Sequence, residues 1–424
     1  EVISDTALKI QRLIPFASSP SSPIALELWF APAGYRGCWL DRSDGSAALP
    51  GGHGTTSSLT PSMCRNICAK QHAPFFGMRG GDQCYCGNGT APTAGAPRGV
   101  EEDCWAVCSG EENGRCGGPH ATSLYSVSDA AVLPSAVNMT LNASLAGSSS
   151  EAHVVWSSVA WRTVPVTQRT IGVAVRRRFN LTLPPHARSS LTRWDIDNPV
   201  LYVLAVGGVA ARIGFRTIAR SVAGQILLND RPMFLRGIAI NAPGRGLDAT
   251  VASNATFAHA YLSTLRTKYG VNFVRIESGD QGGAATWWSA ADEVGILVFQ
   301  GRYGAPRGGS KTAPPTDLNA SLEAYKSEYF EAQATHPSLI IRILSNEMNS
   351  HSTAFDAFFT RQCAALAVWD PTRLCLGNAG FGGGRSGDLN DAHPYAGWYG
   401  GMFDGVAFGA AAKLDPSVTP PSGG

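Results

Sequence analysis

Ten cysteines occur in the 424 residues, and eight of them fall between Cys38 and Cys116. A stretch of that size, rich in glycine and turn residues, holds too little large apolar surface to fold by burial alone. Cys38, Cys64, Cys68, Cys84, Cys86, Cys104, Cys108 and Cys116 are therefore expected to be paired, in an order the spacing leaves open. Pairing requires an oxidising compartment. Six Asn-x-Ser/Thr sequons, at Asn88, Asn138, Asn142, Asn180, Asn254 and Asn319, fit the same secretory route and are expected glycosylation sites.

The remaining bulk properties exclude more than they suggest. A net charge of +2 gives no basis for a nucleic-acid partner or an acidic membrane surface. No uninterrupted apolar run approaches the roughly 18 residues of a membrane span. The chain starts at Glu1 without a basic-then-apolar leader, so a signal peptide is expected to have been removed or to lie outside these residues. His53, His72, His120 and His153 lack metal-ligand spacing, and the glycine-rich run 377–387 lacks the Lys-Ser/Thr of a phosphate loop. No metal and no cofactor is expected.

Texture divides the chain. Residues 1–33 read as a lead segment or linker with one strand at most, "IALELWFAP". Residues 34–127 hold the cysteine module. Residues 128–218 contain short alternating runs, "VNMTLNASL", "GVAVRRRFNLTL" and "LYVLAVGG", which predict an antiparallel β-sandwich. From 219 to 424, apolar strand-like runs alternate with helical patterns. The predicted strands are 233–241, 271–278, 296–301, 339–347, 374–380 and 389–395. Such alternation implies a parallel sheet, either doubly wound or a (β/α)8 barrel. The barrel is favoured because Asn241, Glu277, Gln300, Asn346, Glu347 and His393 recur at strand C-terminal ends, the face where barrels carry chemistry. Six strands are recognisable, short of eight.

Two resemblances sharpen this reading. "YRGCWLD" (35–41), Cys64 and Cys68, "FFGMRGGDQCYCGN" (75–88), "EEDCWAVCSG" (101–110) and "CGG" (116–118) resemble a WSC domain. That resemblance implies an extracellular module binding cell-wall or matrix glycan, through exposed aromatics such as Trp39, Tyr85 and Trp105; a disulfide-knotted spacer is the alternative. "RWDIDNPVLYVL" (193–204), "IGFRTI" (213–218), "GQILLNDRPMFLRGIAIN" (224–241), "YGVNFVRIES", "HPSLIIRILSNE" and "DAHPYAGWY" (391–399) resemble, in order, glycoside hydrolase family 2, the β-galactosidase, β-glucuronidase and β-mannosidase family.

The second resemblance implies a retaining exo-β-glycosidase without cofactor, acting on an oligo- or polysaccharide. By fold it implies an immunoglobulin-like β-sandwich followed by an incomplete TIM (β/α)8 barrel. Glu347 takes the family's general acid/base role, and Asn346 the contact to the sugar 2-hydroxyl. Arg275, Asn241, His393, Tyr395 and Trp398 fall at cleft-lining positions. The chemistry suits the residue types, because a glycosidic oxygen leaves only as it is protonated and an amide donor strengthens as oxocarbenium character develops. The family's nucleophile Glu, at the seventh strand, has no counterpart before Gly424, so the nucleophile is unassigned. Two readings stay open: a fragment of a working hydrolase, or a non-catalytic wall- or matrix-binding relative. Trp287 and Trp288 are read as helix packing, and Cys363 and Cys375 as either a pair or buried thiols.

Overall fold

The computed structural model describes residues 10–30, 34–42, 44, 46–49, 51–87, 96–99, 104, 106–128, 137–140, 143–147, 154–158, 163–166, 175–207, 209–241, 254–277, 284–301, 305–306, 308–326, 330–347, 352–379 and 387–389. His393, Tyr395 and Trp398, with the predicted sixth strand, lie outside them.

Two strands, β1 (Ile10–Phe16) and β2 (Ile24–Phe30), form an antiparallel hairpin where sequence suggested one strand at most. Next comes the cysteine module: β3 (Tyr35–Leu40), β4 (Gly51–Thr55), α1 (Pro61–Lys70), β5 (Phe75–Arg79), β6 (Gln83–Gly87), β7 (Val107–Cys108), β8 (Glu111–Arg115) and β9 (Ala121–Ser126). Its five-stranded sheet runs β3-β9-β5-β6-β4. Thr60 caps α1, and Cys64 and Cys68 stand one turn apart on its inner face. Opposite them, Cys84 and Cys86 stand two apart on one face of β6. The helical and strand periods match, so Cys64–Cys84 and Cys68–Cys86 staple helix to sheet as two parallel rungs. Cys38–Cys104 anchors β3, and Cys108–Cys116 closes the β7–β8 hairpin. The module begins and ends side by side, with Tyr35 paired to Tyr125 and Ser126 N donating to Gly34 O.

That adjacency explains how the module fits between two pieces of one unit. β10 (Val137–Thr140), β11 (Ala143–Gly147), β12 (Val154–Ser158), β13 (Thr163–Val166), β14 (Val175–Leu181), the short α2 (Pro185–Ser189), β15 (Tyr202–Val206) and β16 (Val209–Ile213) follow it. β2 pairs with β14 across about 150 residues of chain, giving the sheet β1-β2-β14. A second antiparallel sheet runs β12-β11-β15-β16, and β10 pairs with β13. Leu13, Leu26, Leu28 and Phe30 of the hairpin share one core with Leu145, Leu204, Val206 and Phe215. The antiparallel unit is thus discontinuous in sequence. The segment expected as a 1–33 linker supplies two of the three strands of its first sheet, because β2 is buried on both faces and needs partners on both.

The opposite face of the hairpin meets the last unit. β17 (Ile218–Arg220), β18 (Ile226–Leu228) and β19 (Arg231–Met233) make a small meander. Then β20 (Gly237–Asn241), α3 (Ala255–Tyr269), β21 (Phe273–Glu277), α4 (Ala284–Val294), β22 (Leu297–Gly301), α5 (Leu318–Tyr325), the single turn α6 (Glu331–Gln333), β23 (Leu339–Ile343), α7 (Thr353–Trp369) and β24 (Leu374–Leu376) alternate. The strands form one parallel sheet in the order β20-β21-β22-β23-β24. A doubly wound sheet would reverse direction partway, and this one does not. Among the described residues the sheet is open, with no closed barrel. Ile14, Phe16 and Trp29 pack against Phe355, Phe359 and Trp369 of α7. Trp287 and Trp288 are buried between helix and sheet, as expected. Cys363 of α7 and Cys375 of β24 form a fifth disulfide.

Every cysteine of the chain is therefore paired. Thiol titration of the denatured, unreduced protein should find none free. Any free thiol in more than trace amount would contradict this pairing.

Candidate functional site

β23 enters the core as Leu339-Ile340-Ile341, all buried, and its neighbours on both sides are strands. It leaves the core as Ser345, Asn346 and Glu347, and here it travels with the end of β24. Leu344 N donates to Leu376 O at 3.0 Å, Ala379 N to Ser345 O at 3.0 Å, and Glu347 N to Ala379 O at 2.7 Å. Asn346 forms a parallel bridge with Ala379. Ser345 Oγ lies 3.0 Å from both Gly377 O and Asn378 Oδ1, and both residues' ends are buried. The Cys363–Cys375 disulfide fixes β24 to α7 just below these contacts.

Asn346 is 3% exposed. Its Oδ1 accepts from Nη2 of Arg275, which reaches across from β21 with its guanidinium 5.6 Å from the Phe299 ring centroid. With Oδ1 engaged, Nδ2 is left as the amide's donor. Glu347 is half-buried and adopts a left-handed backbone, φ 53°. For a residue with a Cβ that conformation costs about 1–2 kcal/mol. The bond from its N to Ala379 O, next to the Asn346–Ala379 bridge, holds the backbone there.

The other expected positions separate. Asn241 and Glu277 are register partners at the C-terminal ends of β20 and β21, so they share the edge with Asn346 at the level of the backbone. Gln300 is fully buried and accepts from Trp288 Nε1 of α4. His393, Tyr395 and Trp398 are outside the described residues. Glu277 stands on β21, two strands from β23. At sheet spacing that is roughly 10 Å of backbone, a span that Arg275 of the same strand crosses to reach Asn346. Ser345, Asn378 and Ala379 support the pair, and nothing in the sequence distinguishes them from ordinary strand ends.

In the cysteine module, Trp39 and Tyr85 are half-buried. Arg98 stacks over the Trp39 ring at 5.8 Å, and Tyr85 OH donates to Gln83 Oε1 at 2.8 Å. Trp105 is outside the described residues. The sulfurs of Cys64, Cys68 and Cys84 cluster within 4.8 Å, but all three are in disulfides and offer no thiolate to a cation. Among the sequons, Asn180, Asn254 and Asn319 are exposed. Asn138 is placed only by its backbone in β10, and Asn88 and Asn142 lie outside the described residues. No helix among the described residues is long and apolar enough to cross a membrane.

Comparison with known proteins supports the module directly. Residues 35–118 match the family model of the WSC domain. A "WSC domain-containing protein" of Arthroderma benhamiae is 33% identical over 106 residues, 25% of this chain and 11% of that protein. Mouse Kremen protein 2 is 34% identical over 95 residues, 22% of this chain and 20% of that one. Among solved structures, a glycosyl hydrolase family 2 member from Bacteroides cellulosilyticus is similar over 58% of this chain and 32% of its own, with 18% identity and a TM-score of 0.42. The β-glucuronidase of Parabacteroides merdae is similar over 60% and 30%, with 21% identity and a TM-score of 0.39. The chain thus spans about a third or less of these proteins' lengths. The structural likenesses are weak and concern fold; nothing about the site's chemistry follows from them.

The left-handed backbone at Glu347 yields a stability test. Asn tolerates that conformation better than Glu, so Glu347→Asn should raise stability to chemical denaturation by about 0.5–1 kcal/mol. A clear loss of stability would show that the carboxylate itself holds the strand end together.

Proposed function

We propose that this is a secreted, carbohydrate-directed protein of glycoside hydrolase type. The parallel sheet, read as part of a (β/α)8 barrel, carries the proton-donor half of a site for terminal β-glycosides. The antiparallel unit is read as immunoglobulin-like, and the WSC module as a binder of wall or matrix glycan. One observation carries the reading. Glu347 stands at the C-terminal edge of a parallel sheet beside an amide whose orientation Arg275 has fixed.

Each group has a task. Glu347 delivers a proton to the glycosidic oxygen as the bond to the anomeric carbon breaks. Asn346 Nδ2 donates to a hydroxyl beside that carbon, and the bond tightens as positive charge develops on the ring. Arg275 holds the amide from behind. The five disulfides and the exposed sequons fit a chain that matures outside the cytosol.

A retaining route needs a second carboxylate beside Glu347, and a sugar-binding relative without hydrolysis is the second reading. Chromogenic aryl β-galactoside, β-glucuronide and β-mannoside separate the two. The 424-residue chain should turn them over slowly or not at all. Azide, attacking the anomeric carbon in place of a carboxylate nucleophile, should restore release of a poor leaving group. Glu347→Gln should lower that rescued rate by roughly 10²–10⁴-fold, the usual contribution of a general acid. Fast turnover without azide, lost in Glu347→Gln, would reveal a nucleophile this reading lacks. No release with azide on any of the three would leave the binding reading alone.

A further inference from the structure

On the outer face of α3, Phe257 and Tyr261 are 36% and 38% exposed. Their rings stack at 5.8 Å, and each meets the buried Trp287 ring edge-on, at 6.1 and 5.7 Å. A rigid aromatic platform facing solvent calls for something to cover it. At the start of α3, next to Asn254, a groove of about 340 Å³ opens toward α4, with Ala255 on one side and Ala285, Thr286, Ser289, Ala290 and Glu293 on the other. Small residues leave the groove room, and the hydroxyls of Thr286 and Ser289 give it polar partners, while the Glu293 carboxylate is paired with Arg212.

The occupant is suggested by the helix's own first residues. Asn254-Ala255-Thr256 is a sequon, with Asn254 and Thr256 both exposed. Asn254 caps α3, its Oδ1 accepting from Phe257 N at 3.0 Å. Capping uses only the oxygen, and a sugar attaches at Nδ2, so one side chain can do both. Asn254, Phe257 and Tyr261 follow the spacing i, i+3, i+7 and lie on one helical face. A sugar tethered at Asn254 is held at high local concentration over the ring pair and the groove's mouth.

We propose that Asn254 carries an N-linked glycan whose first sugar rests against Phe257 and Tyr261 and whose following sugars enter the α3–α4 groove. The donor is a lipid-diphosphate-linked oligosaccharide of the secretory pathway. The bond from its anomeric carbon to the diphosphate oxygen breaks, and the diphosphate leaves with the electron pair. The bond from that carbon to Nδ2 forms as one amide proton is lost. The apolar face of the sugar ring then covers the aromatic pair, and the hydroxyls of the following sugars face Thr286 and Ser289.

The full chain, secreted from a host that performs N-glycosylation, should yield a glycopeptide containing Asn254. Release of that glycan by an endoglycosidase, measured on the native protein relative to the denatured one, should be slow. The double variant Phe257→Ser, Tyr261→Ser should speed it by roughly two- to tenfold, the size of one seated aromatic contact. Thr256→Ala, which removes the sequon but keeps the Asn254 cap, should leave the site bare and raise nitration of Tyr261 by tetranitromethane several-fold. An unmodified Asn254 in the secreted protein overturns the site. Native release unaffected by the double variant, or Tyr261 nitration unaffected by Thr256→Ala, overturns the seat.

Discussion

Glu27 is a carboxylate on the central strand of a three-stranded sheet, 6% exposed. It accepts from Trp29 Nε1 at 3.0 Å and from Trp369 Nε1 at 3.1 Å, with Arg178 Nε 3.4 Å away. Trp29 neighbours it on β2, Arg178 lies on β14, and Trp369 ends α7. One buried charge therefore ties the first hairpin, the antiparallel unit and the helix behind the site strand. A charge placed there is tolerable only because it is satisfied on both oxygens. The hairpin sheet is buried on both faces, one in the antiparallel core and the other against α7. Without it, neither unit would keep its cover.

A second buried network secures the other end of β23. Arg216, just past β16, donates to the carbonyls of Pro337, Leu339 and Thr372, at the N-terminal ends of β23 and β24. Burial pushes its pKa down to about 9. Asp370 receives Arg342 at 2.6 Å and Arg373 at 2.7 Å. Burial alone would raise the Asp370 carboxyl, but the two guanidiniums outweigh it and hold it well below the usual carboxylate range. The stability this pairing contributes is present above the unfolded carboxyl's pKa of about 3.9 and is lost only as pH falls through the lower folded value. β23 is thus pinned by the Arg216 carbonyl contacts at its start, by the Arg342–Asp370 pair at the level of the Cys363–Cys375 disulfide, and by the end of β24 beyond them. Glu347 emerges from a rigid strand, and its left-handed turn is a local cost that the frame can carry.

Much of this was legible in the sequence where the signal was local. The cysteine spacing announced a stapled module, although its rungs needed α1 and β6 side by side to be read. The βα alternation placed five strands and four helices, since each is a long apolar or periodic run. Glu347 and Asn346 stood out as polar residues closing a buried strand. What sequence could not show depends on distant partners. "IALELWF" looks like one strand of unknown company because its mates are β1 and, far downstream, β14. Glu27 reads as an ordinary alternating polar position until Trp369 is brought to it. Gln300 stands at a strand end by sequence, and only the packed helix shows that it also accepts from Trp288. Cys363 and Cys375 were ambiguous because a helix and the next strand can equally bury two thiols.

The claim at the centre is that sugar is met at the C-terminal edge of the parallel sheet, beyond any contact made by the WSC module. Hydrogen exchange of the whole chain, with and without saturating non-hydrolysable aryl β-thioglycosides of the three sugar types, tests it most directly. The account predicts that at least one ligand slows exchange around Ser345–Glu347 and Gly377–Ala379 while leaving residues 35–118 unchanged. Slowed exchange confined to residues 35–118, or none anywhere, would contradict it.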